Sequence, residues 1–206
     1  MKILAIGGSP RPRGNSNSLM RIAVESAVER GAAAEVFRVK KMNIQGCDAC
    51  DGCKAKPDAT CVVEDDMHQI YDRLKACDVL VLATPVYFYY VSSWLKAVID
   101  RLYGLMGPKV PDHSVDYGLY EPRVEPGKSY YVITTQEEKP LLYGYFIMAG
   151  LAQSLGWFDM TLKGQLIATE LSKASDWKKR PDLIEAARQL IVVPSAESDT
   201  SQAKPA

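Results

Sequence analysis

No apolar stretch in these 206 residues approaches the roughly 18 that cross a bilayer. The start has neither the charged n-region nor the small-residue cleavage site of a signal peptide. The expected location is therefore the cytoplasm, away from membranes. Charge of one sign is also lacking: 25 basic residues balance 25 acidic ones, which excludes a nucleic-acid footprint or an anionic-membrane patch. Histidine is scarce. His68 and His113 are far apart, so His68, beside Asp65 and Asp66, is assigned a capping or surface role. Neither G-x-x-x-x-G-K-[ST] nor G-x-G-x-x-G occurs, and the nucleoside triphosphate and dinucleotide fingerprints both fail. No internal repeat is present, and 47% hydrophobic residues over this length suffice for one α/β domain with a substantial core.

What is present begins at the first residues. The apolar run Lys2 to Ile6 ends in Gly7, Gly8, Ser9, Pro10, Arg11, Pro12, Arg13 and Gly14, followed by Asn15, Ser16, Asn17 and Ser18. Strand, glycine-rich turn and helix start form the layout of a phosphate-holding loop, with backbone N–H groups and a helix dipole facing the anion. With both longer fingerprints absent, the expected guest is a mononucleotide. The alternative is an ordinary strand-to-helix turn with Asn or Ser as N-cap.

Short strands and amphipathic helices then alternate. Helices are expected from Ser16 to about Arg30, from Asp66 to Asp78, after Ser92 or Ser93, from Leu141 to Leu155 and from about Pro181 to Ile191. Strands are expected over Ala34 to Val39, Val79 to Ala83, Tyr130 to Thr135 and Met160 to Thr169, the last broken near Gly164. The run Val79-Leu80-Val81-Leu82-Ala83 is apolar without alternation, as a parallel strand covered on both faces must be. The expected fold class is α/β: a doubly wound, five-stranded parallel sheet between two helix layers, spanning residues 1–193, with a disordered tail over 194–206. Ligands of such sheets bind beyond the carboxyl ends of the strands. That selects the loops Gly8 to Ser18, Thr84 to Val91 and Thr134 to Lys139. The second loop concentrates Tyr87, Phe88, Tyr89 and Tyr90, which suits a flat redox ring, while packing between subunits is the alternative for Tyr89 and Tyr90. Thr134, Thr135 and Gln136 are placed to donate to the ring's polar edge.

Gly8-Ser9-Pro10-Arg11 with Gly14-Asn15-Ser16, then Asp65-Asp66-Met67, Thr84-Pro85-Val86-Tyr87-Phe88, and Leu95-Lys96 through Ile99-Asp100-Arg101 resemble the flavodoxin-like NAD(P)H-dependent FMN reductases. The resemblance covers about the first half of the chain and continues more faintly to the fifth strand. It implies a flavodoxin-like sheet, FMN as cofactor and NAD(P)H as co-substrate. It also implies an FMN phosphate held by Ser9, Arg11, Asn15, Ser16 and Asn17, and an isoalloxazine ring against Pro85, Val86, Tyr87 and Phe88. Members are usually dimers or tetramers with the flavin near a subunit boundary.

Cys47, Cys50, Cys53 and Cys61 follow the pattern C-x2-C-x2-C-x7-C within residues 46–62. Stable disulfides are not expected in the cytosol, so metal or redox chemistry leads. Three thiols at successive x2 spacings with a fourth further on suit a [4Fe–4S] cube, and the pattern resembles the iron-sulfur flavoproteins of the same family. It departs from the bacterial ferredoxin run, which places the fourth cysteine three residues on, before a proline. Structural zinc and unmetallated redox thiols are the alternatives. Cys77 reads as a packed structural thiol. The connection 104–127, with its prolines and with His113, Tyr117 and Tyr120, is too long for a routine turn and is expected to form a lid or an oligomer arm. Trp94, Trp157 and Trp177 are assigned to packing, Trp94 being nearest the aromatic loop.

These features together imply an FMN-dependent oxidoreductase that needs no catalytic side chain, with NAD(P)H or ferredoxin as donor and a small molecule or protein as acceptor. Two alternatives come from other classes: a flavodoxin-like electron carrier without turnover of its own, and a zinc-stabilised flavin-binding module.

Overall fold

The computed structural model describes residues 1–56, 58–110 and 119–194. Its strands are β1 (Lys2–Gly7), β2 (Ala33–Arg38), β3 (Val79–Tyr87), β4 (Tyr90–Val91), β5 (Met106–Val110), β6 (Leu119–Pro122), β7 (Ser129–Thr135) and β8 (Thr161–Ala168). Its helices are α1 (Asn15–Glu29), α2 (Met67–Ala76), α3 (Ser93–Arg101), α4 (Leu142–Gly156) and α5 (Pro181–Leu190). Five strands pair in parallel in the order β2-β1-β3-β7-β8, the 2-1-3-4-5 order of the flavodoxin-like doubly wound sheet. The expected fold class is thus observed.

Strand geometry explains the two cores. Because side chains alternate across a strand, Leu80 and Leu82 of β3 enter one apolar layer, with α2, α3 and α4, while Val79, Val81 and Ala83 enter the other, with α1 and α5. Both faces of β3 are covered from Val79 to Thr84, and its first five residues read apolar at every step. α3 starts where Ser92 Oγ accepts from Leu95 N at 3.2 Å, and α2 starts where Asp65 Oδ1 accepts from Met67 N at 3.0 Å.

Three features differ from the expectation or refine it. Residues 84–87 are not loop: β3 runs on to Tyr87, turns at Phe88 and Tyr89 with φ of +47° and +68°, and returns as β4. The antiparallel β4 extends the ladder past the point where the apolar run stops. The connection 104–127 contains the β5–β6 hairpin; His113 and Tyr117 fall on 111–118, outside the described residues. β8 breaks where expected, because its partner residue jumps from Leu162 to Gly164 opposite Tyr130 and Tyr131. The tail from 195 onward also lies outside the described residues. Among the described residues no helix is long and apolar enough to cross a membrane.

Candidate functional site

The turn after β1 is fixed from below before any ligand is considered. Gly8 N donates to Ala83 O at 2.8 Å, and Ser92 Oγ donates to Gly8 O at 2.6 Å, tying the turn to the centre of the sheet and to the start of α3. A side chain at Gly8 is not tolerated there: its Cβ would lie 2.6 Å from Leu95 Cβ. Above this base Asn17 Nδ2 donates to Ser9 O at 3.2 Å and to Arg11 O at 3.1 Å, holding the arch over the amino end of α1. Ser9, Arg11, Gly14 and Ser16 then line a cavity of about 260 Å³ with Pro85, Val86 and Tyr87 of β3, Thr135 at the end of β7 and Gln136 just beyond it.

The predicted residues fare differently in this geometry. Ser16 Oγ is buried without any hydrogen-bond partner, beside the positive end of α1, which suits a phosphate oxygen. Asn15 lines the cavity, yet its side chain is engaged by the backbone: Nδ2 donates to Lys173 O at 2.9 Å and to Leu171 O at 3.4 Å, and Oδ1 accepts from Trp177 N at 3.3 Å. Asn17 is a brace, and its one free polar atom, Oδ1, is an acceptor that a phosphate cannot use. At the other wall Gln136 Nε2 donates to Glu138 O at 2.9 Å and to Pro140 O at 2.6 Å, leaving Oε1 buried and unpartnered, as is the neighbouring Thr134 Oγ1. The atom that Gln136 leaves open is thus an acceptor, Oε1, and not the expected donor, Nε2. Phe88 is 96% exposed at the hairpin tip, outside this cavity within a single chain. Three buried, unpartnered polar atoms (Ser16 Oγ, Thr134 Oγ1, Gln136 Oε1) gathered at the carboxyl ends of β1 and β7 fit a mononucleotide with a phosphate at one end and a polar ring edge at the other. FMN meets both demands.

The four loop cysteines converge on a second, much smaller cavity of about 20 Å³, shared with Arg101 and Tyr103. Cys47 and Cys50 are exposed and Cys53 is buried. Ala49 and Asp51 take left-handed φ values of +51° and +53°, so the loop winds tightly around its sulfurs. Gly104, Met106 and Arg123 of the connection border this site. Lys54 Nζ donates to Tyr103 O at 2.6 Å and to Met106 O at 2.5 Å and stands 3.7 Å over the Tyr103 ring, and Arg123 donates to Cys53 O at 3.0 Å. Burial pushes the Cys53 thiol up and the Lys54 ammonium down from their ordinary values. The donor set suits a thiolate-bound cluster. Among the described residues, however, no three Cys, His, Asp or Glu side chains stand close enough to grip a metal ion, and the cavity has room for about one water.

Beneath the cysteines lies a network to which the motifs gave no role. Arg101 and Asp65, 1% and 0% exposed at their side chains, pair at 2.8 and 3.1 Å, and Tyr71 Oη donates to Arg101 O at 2.6 Å. Burial alone would raise the Asp65 carboxyl, but the guanidinium and the N–H groups of Gln45 and Met67 outweigh it and hold that carboxyl below its usual value. No sequence spacing announces a pair 36 residues apart. Cys77, assigned to packing, is buried with Sγ on Leu74 O at 3.4 Å; His68, assigned a capping or surface role, has Nε2 3.1 Å from Val63 O; of the tryptophans assigned to packing, Trp94 lies under Lys40 Nζ at 4.2 Å, whereas Trp157 is 45% exposed with its ring against Tyr120. Trp177 lines another cavity, about 880 Å³, bordered by α1, by Pro12 and Arg13 of the turn after β1 and by Val36 and Arg38 of β2.

Sheet order, phosphate-type turn and mononucleotide-sized cleft define a flavodoxin-like α/β protein. The chain belongs to the NADPH-dependent FMN reductase family, whose model matches residues 1–112. An iron-sulfur flavoprotein of Methanocaldococcus jannaschii is 37% identical over 101 residues, 49% of this chain and 51% of that protein. The chain thus matches about half the length of such archaeal relatives. YwqN of Bacillus subtilis, whose name places it among NAD(P)H-dependent FMN-containing oxidoreductases, is 27% identical over 194 residues, 93% of this chain and 97% of its own. The solved NAD(P)H:quinone oxidoreductase of Methanothermobacter marburgensis shares the fold at a TM-score of 0.66, with 16% identity over 91% of this chain and 94% of that one.

Proposed function

We propose that this protein is an FMN-dependent oxidoreductase of the cytoplasm that takes electrons from NAD(P)H or a one-electron protein donor and passes them to a small acceptor such as a quinone, a free flavin or oxygen. The observation that carries this is the set of buried, unpartnered atoms around the 260 Å³ cleft, Ser16 Oγ and Gln136 Oε1 above all. Bound FMN supplies the redox chemistry itself, accepting a hydride or single electrons. The chain's own part is positional. Ser9, Ser16, Arg11 and the first N–H groups of α1 hold the phosphate, Pro85, Val86 and Tyr87 flank the ring, and Gln136 and the Thr134–Thr135 step meet its polar edge. No side chain need transfer a proton.

Cys47, Cys50, Cys53 and Cys61 are proposed to hold a [4Fe–4S] group, which would supply single-electron exchange with an external carrier. The names of the archaeal relatives and the convergence of all four sulfurs on one cavity support this. A second reading, a cluster-free NAD(P)H-dependent FMN reductase, is favoured by the small volume of that cavity and by the absence among the described residues of a ready metal-binding group. Protein prepared without oxygen decides between them. A brown solution with about four irons and four sulfides per chain supports the cluster, whereas FMN alone, with NADH or NADPH oxidised directly, supports the second. No flavin and no nicotinamide oxidation would overturn both.

A further inference from the structure

The cavity of about 880 Å³ beside α1 has no part in holding FMN, and its lining is far from neutral. Its floor is apolar, built by Met20 and Val24 of α1 and Val36 of β2, with the half-buried Trp177 at one side. Four cations border it, Arg13, Arg21, Arg38 and Lys178, against one carboxylate, Glu25. Glu25 is already taken, because Arg21 Nη1 donates to both of its oxygens at 2.9 Å. Arg13, Arg38 and Lys178 form no ion pair among the described residues. Lys178 Nζ lies 6.0 Å from the Trp177 ring, so charge and aromatic surface are adjacent. In a chain whose 25 basic and 25 acidic residues cancel, three unpaired cations around one apolar hollow suit an anionic group attached to a flat body.

Position decides which anion. Arg38 pairs with Gly7 in the parallel ladder, so it stands at the carboxyl end of β2, level with the start of the phosphate turn that contains Arg13. Ala174 borders both this cavity and the 260 Å³ cleft. The segment around Ala174 is braced by Asn15, whose Nδ2 donates to Leu171 O and Lys173 O and whose Oδ1 accepts from Trp177 N. The two cavities are therefore neighbours across one held wall, and a long ligand can occupy both. A nicotinamide dinucleotide has that form, with one end that must reach the flavin and an adenosine end that need not. We propose that the 880 Å³ cavity takes the adenosine 2′-phosphate end of NADPH, the phosphate meeting Arg13, Arg38 and Lys178 and the adenine lying against Trp177. This use of the cavity rests on the NAD(P)H reading given above. Guanidinium forks match the oxygens of a phosphate monoester, whereas NADH carries only a hydroxyl at that position and leaves the three cations unmet. The cavity thus selects NADPH over NADH.

The test uses the full chain loaded with FMN, titrated calorimetrically with 2′,5′-ADP and with 5′-AMP, which differ only in the 2′-phosphate. The wild type should bind one 2′,5′-ADP per chain at least about tenfold tighter than 5′-AMP, as charge-assisted bonds to a phosphate imply. Arg38→Gln should remove most of that preference, a fall of about tenfold, and the NADPH-to-NADH ratio of kcat/KM should fall with it. Lys41→Gln, an exposed cation that does not border the cavity, should leave the preference intact. Should Arg38→Gln fail to fold, Lys178→Gln, at an exposed position, decides by the same ratio. Equal affinity for the two adenosine phosphates, a preference that survives both Arg38→Gln and Lys178→Gln, or a loss as large in Lys41→Gln overturns the site. If the same protein oxidises NADPH and NADH with equal kcat/KM, the NAD(P)H reading stands and the 2′-phosphate site falls. Oxidation of neither nucleotide overturns that reading, and the assignment of the cavity to NADPH with it.

Discussion

Ser16 and Asp65 are both buried, but only one of them is satisfied without a ligand. Ser16 Oγ has no partner in the free protein, so the hydroxyl stabilises nothing until an anion arrives. Ser16→Ala should therefore leave the melting temperature of the apoprotein unchanged or slightly higher. FMN affinity should fall about 10- to 100-fold, the worth of a hydrogen bond to a charged group, with riboflavin binding unmoved. Calorimetric titration of the two flavins checks this, and a variant that loses riboflavin equally moves the phosphate elsewhere. Asp65 is the opposite case, since Asp65→Asn leaves the Arg101 charge buried and unpaired and should cost about 3–5 kcal/mol in urea denaturation at pH 7. The Asp65 carboxyl is held below its ordinary value. Its stabilisation is present above the unfolded value of about 3.9 and is lost as pH falls through the folded value. The gap between wild type and Asp65→Asn should accordingly narrow below about pH 4. A gap that stays constant into acid would show that the stability lost in Asp65→Asn does not come from the charge on Asp65. At this scale the sequence told unevenly: Ser9, Arg11 and Ser16 were legible as residues of one loop that line a common cleft, whereas Asn15 and Asn17 were not legible as braces, because their backbone partners come from residues 171–177 and from the turn itself.

Elements whose periodicity follows from burial were readable, and those built by turns were not. β3 and α3 announce themselves because two-sided burial and one apolar stripe leave unmistakable patterns. The β3–β4 turn depends on left-handed backbone at Phe88 and Tyr89, residues with no turn signature. The β5–β6 hairpin carries Gly107 and Pro108 in its first strand, which argue against a strand locally; its contacts with Lys54 and Arg123 across the cysteine loop accompany it. The same turn presents apolar surface in quantity. Phe88 is 96% exposed, and Leu142, Tyr145 and Phe146 of α4 are about half exposed, with Tyr89 and Tyr143 rings 4.8 Å apart linking turn and helix. Scattered exposed hydrophobics are ordinary, but an aromatic face beside the flavin cleft is expected to be covered by a second chain. Light scattering should give at least twice the 22.8 kDa chain mass, and Phe146→Glu should shift it toward a single chain. A monomeric wild type at micromolar concentration would remove the subunit boundary from this account.

Across the whole molecule two sites share one sheet edge and meet through α3. Ser92 at its start fixes the phosphate turn, and Arg101 at its end clamps the cysteine loop. The helix thus joins the flavin cleft to the sulfur site in nine residues. The two sites are expected to assemble independently, because their loops follow different strands. Removing a cysteine, as in Cys50→Ala, should abolish iron while FMN content stays at the wild-type level, measured by absorbance and metal analysis of the same sample. Loss of both together would mean that the two sites form one structural unit. The central claim is that the cleft at the carboxyl ends of β1, β3 and β7 is an FMN site recognised by its phosphate. Titrating apoprotein with FMN and with riboflavin tests it most directly. One FMN should bind per chain, with riboflavin weaker by about 100-fold or more, as two charge-assisted contacts to a phosphate imply; equal affinity for the two, or no binding of FMN, would remove the phosphate site from this cleft.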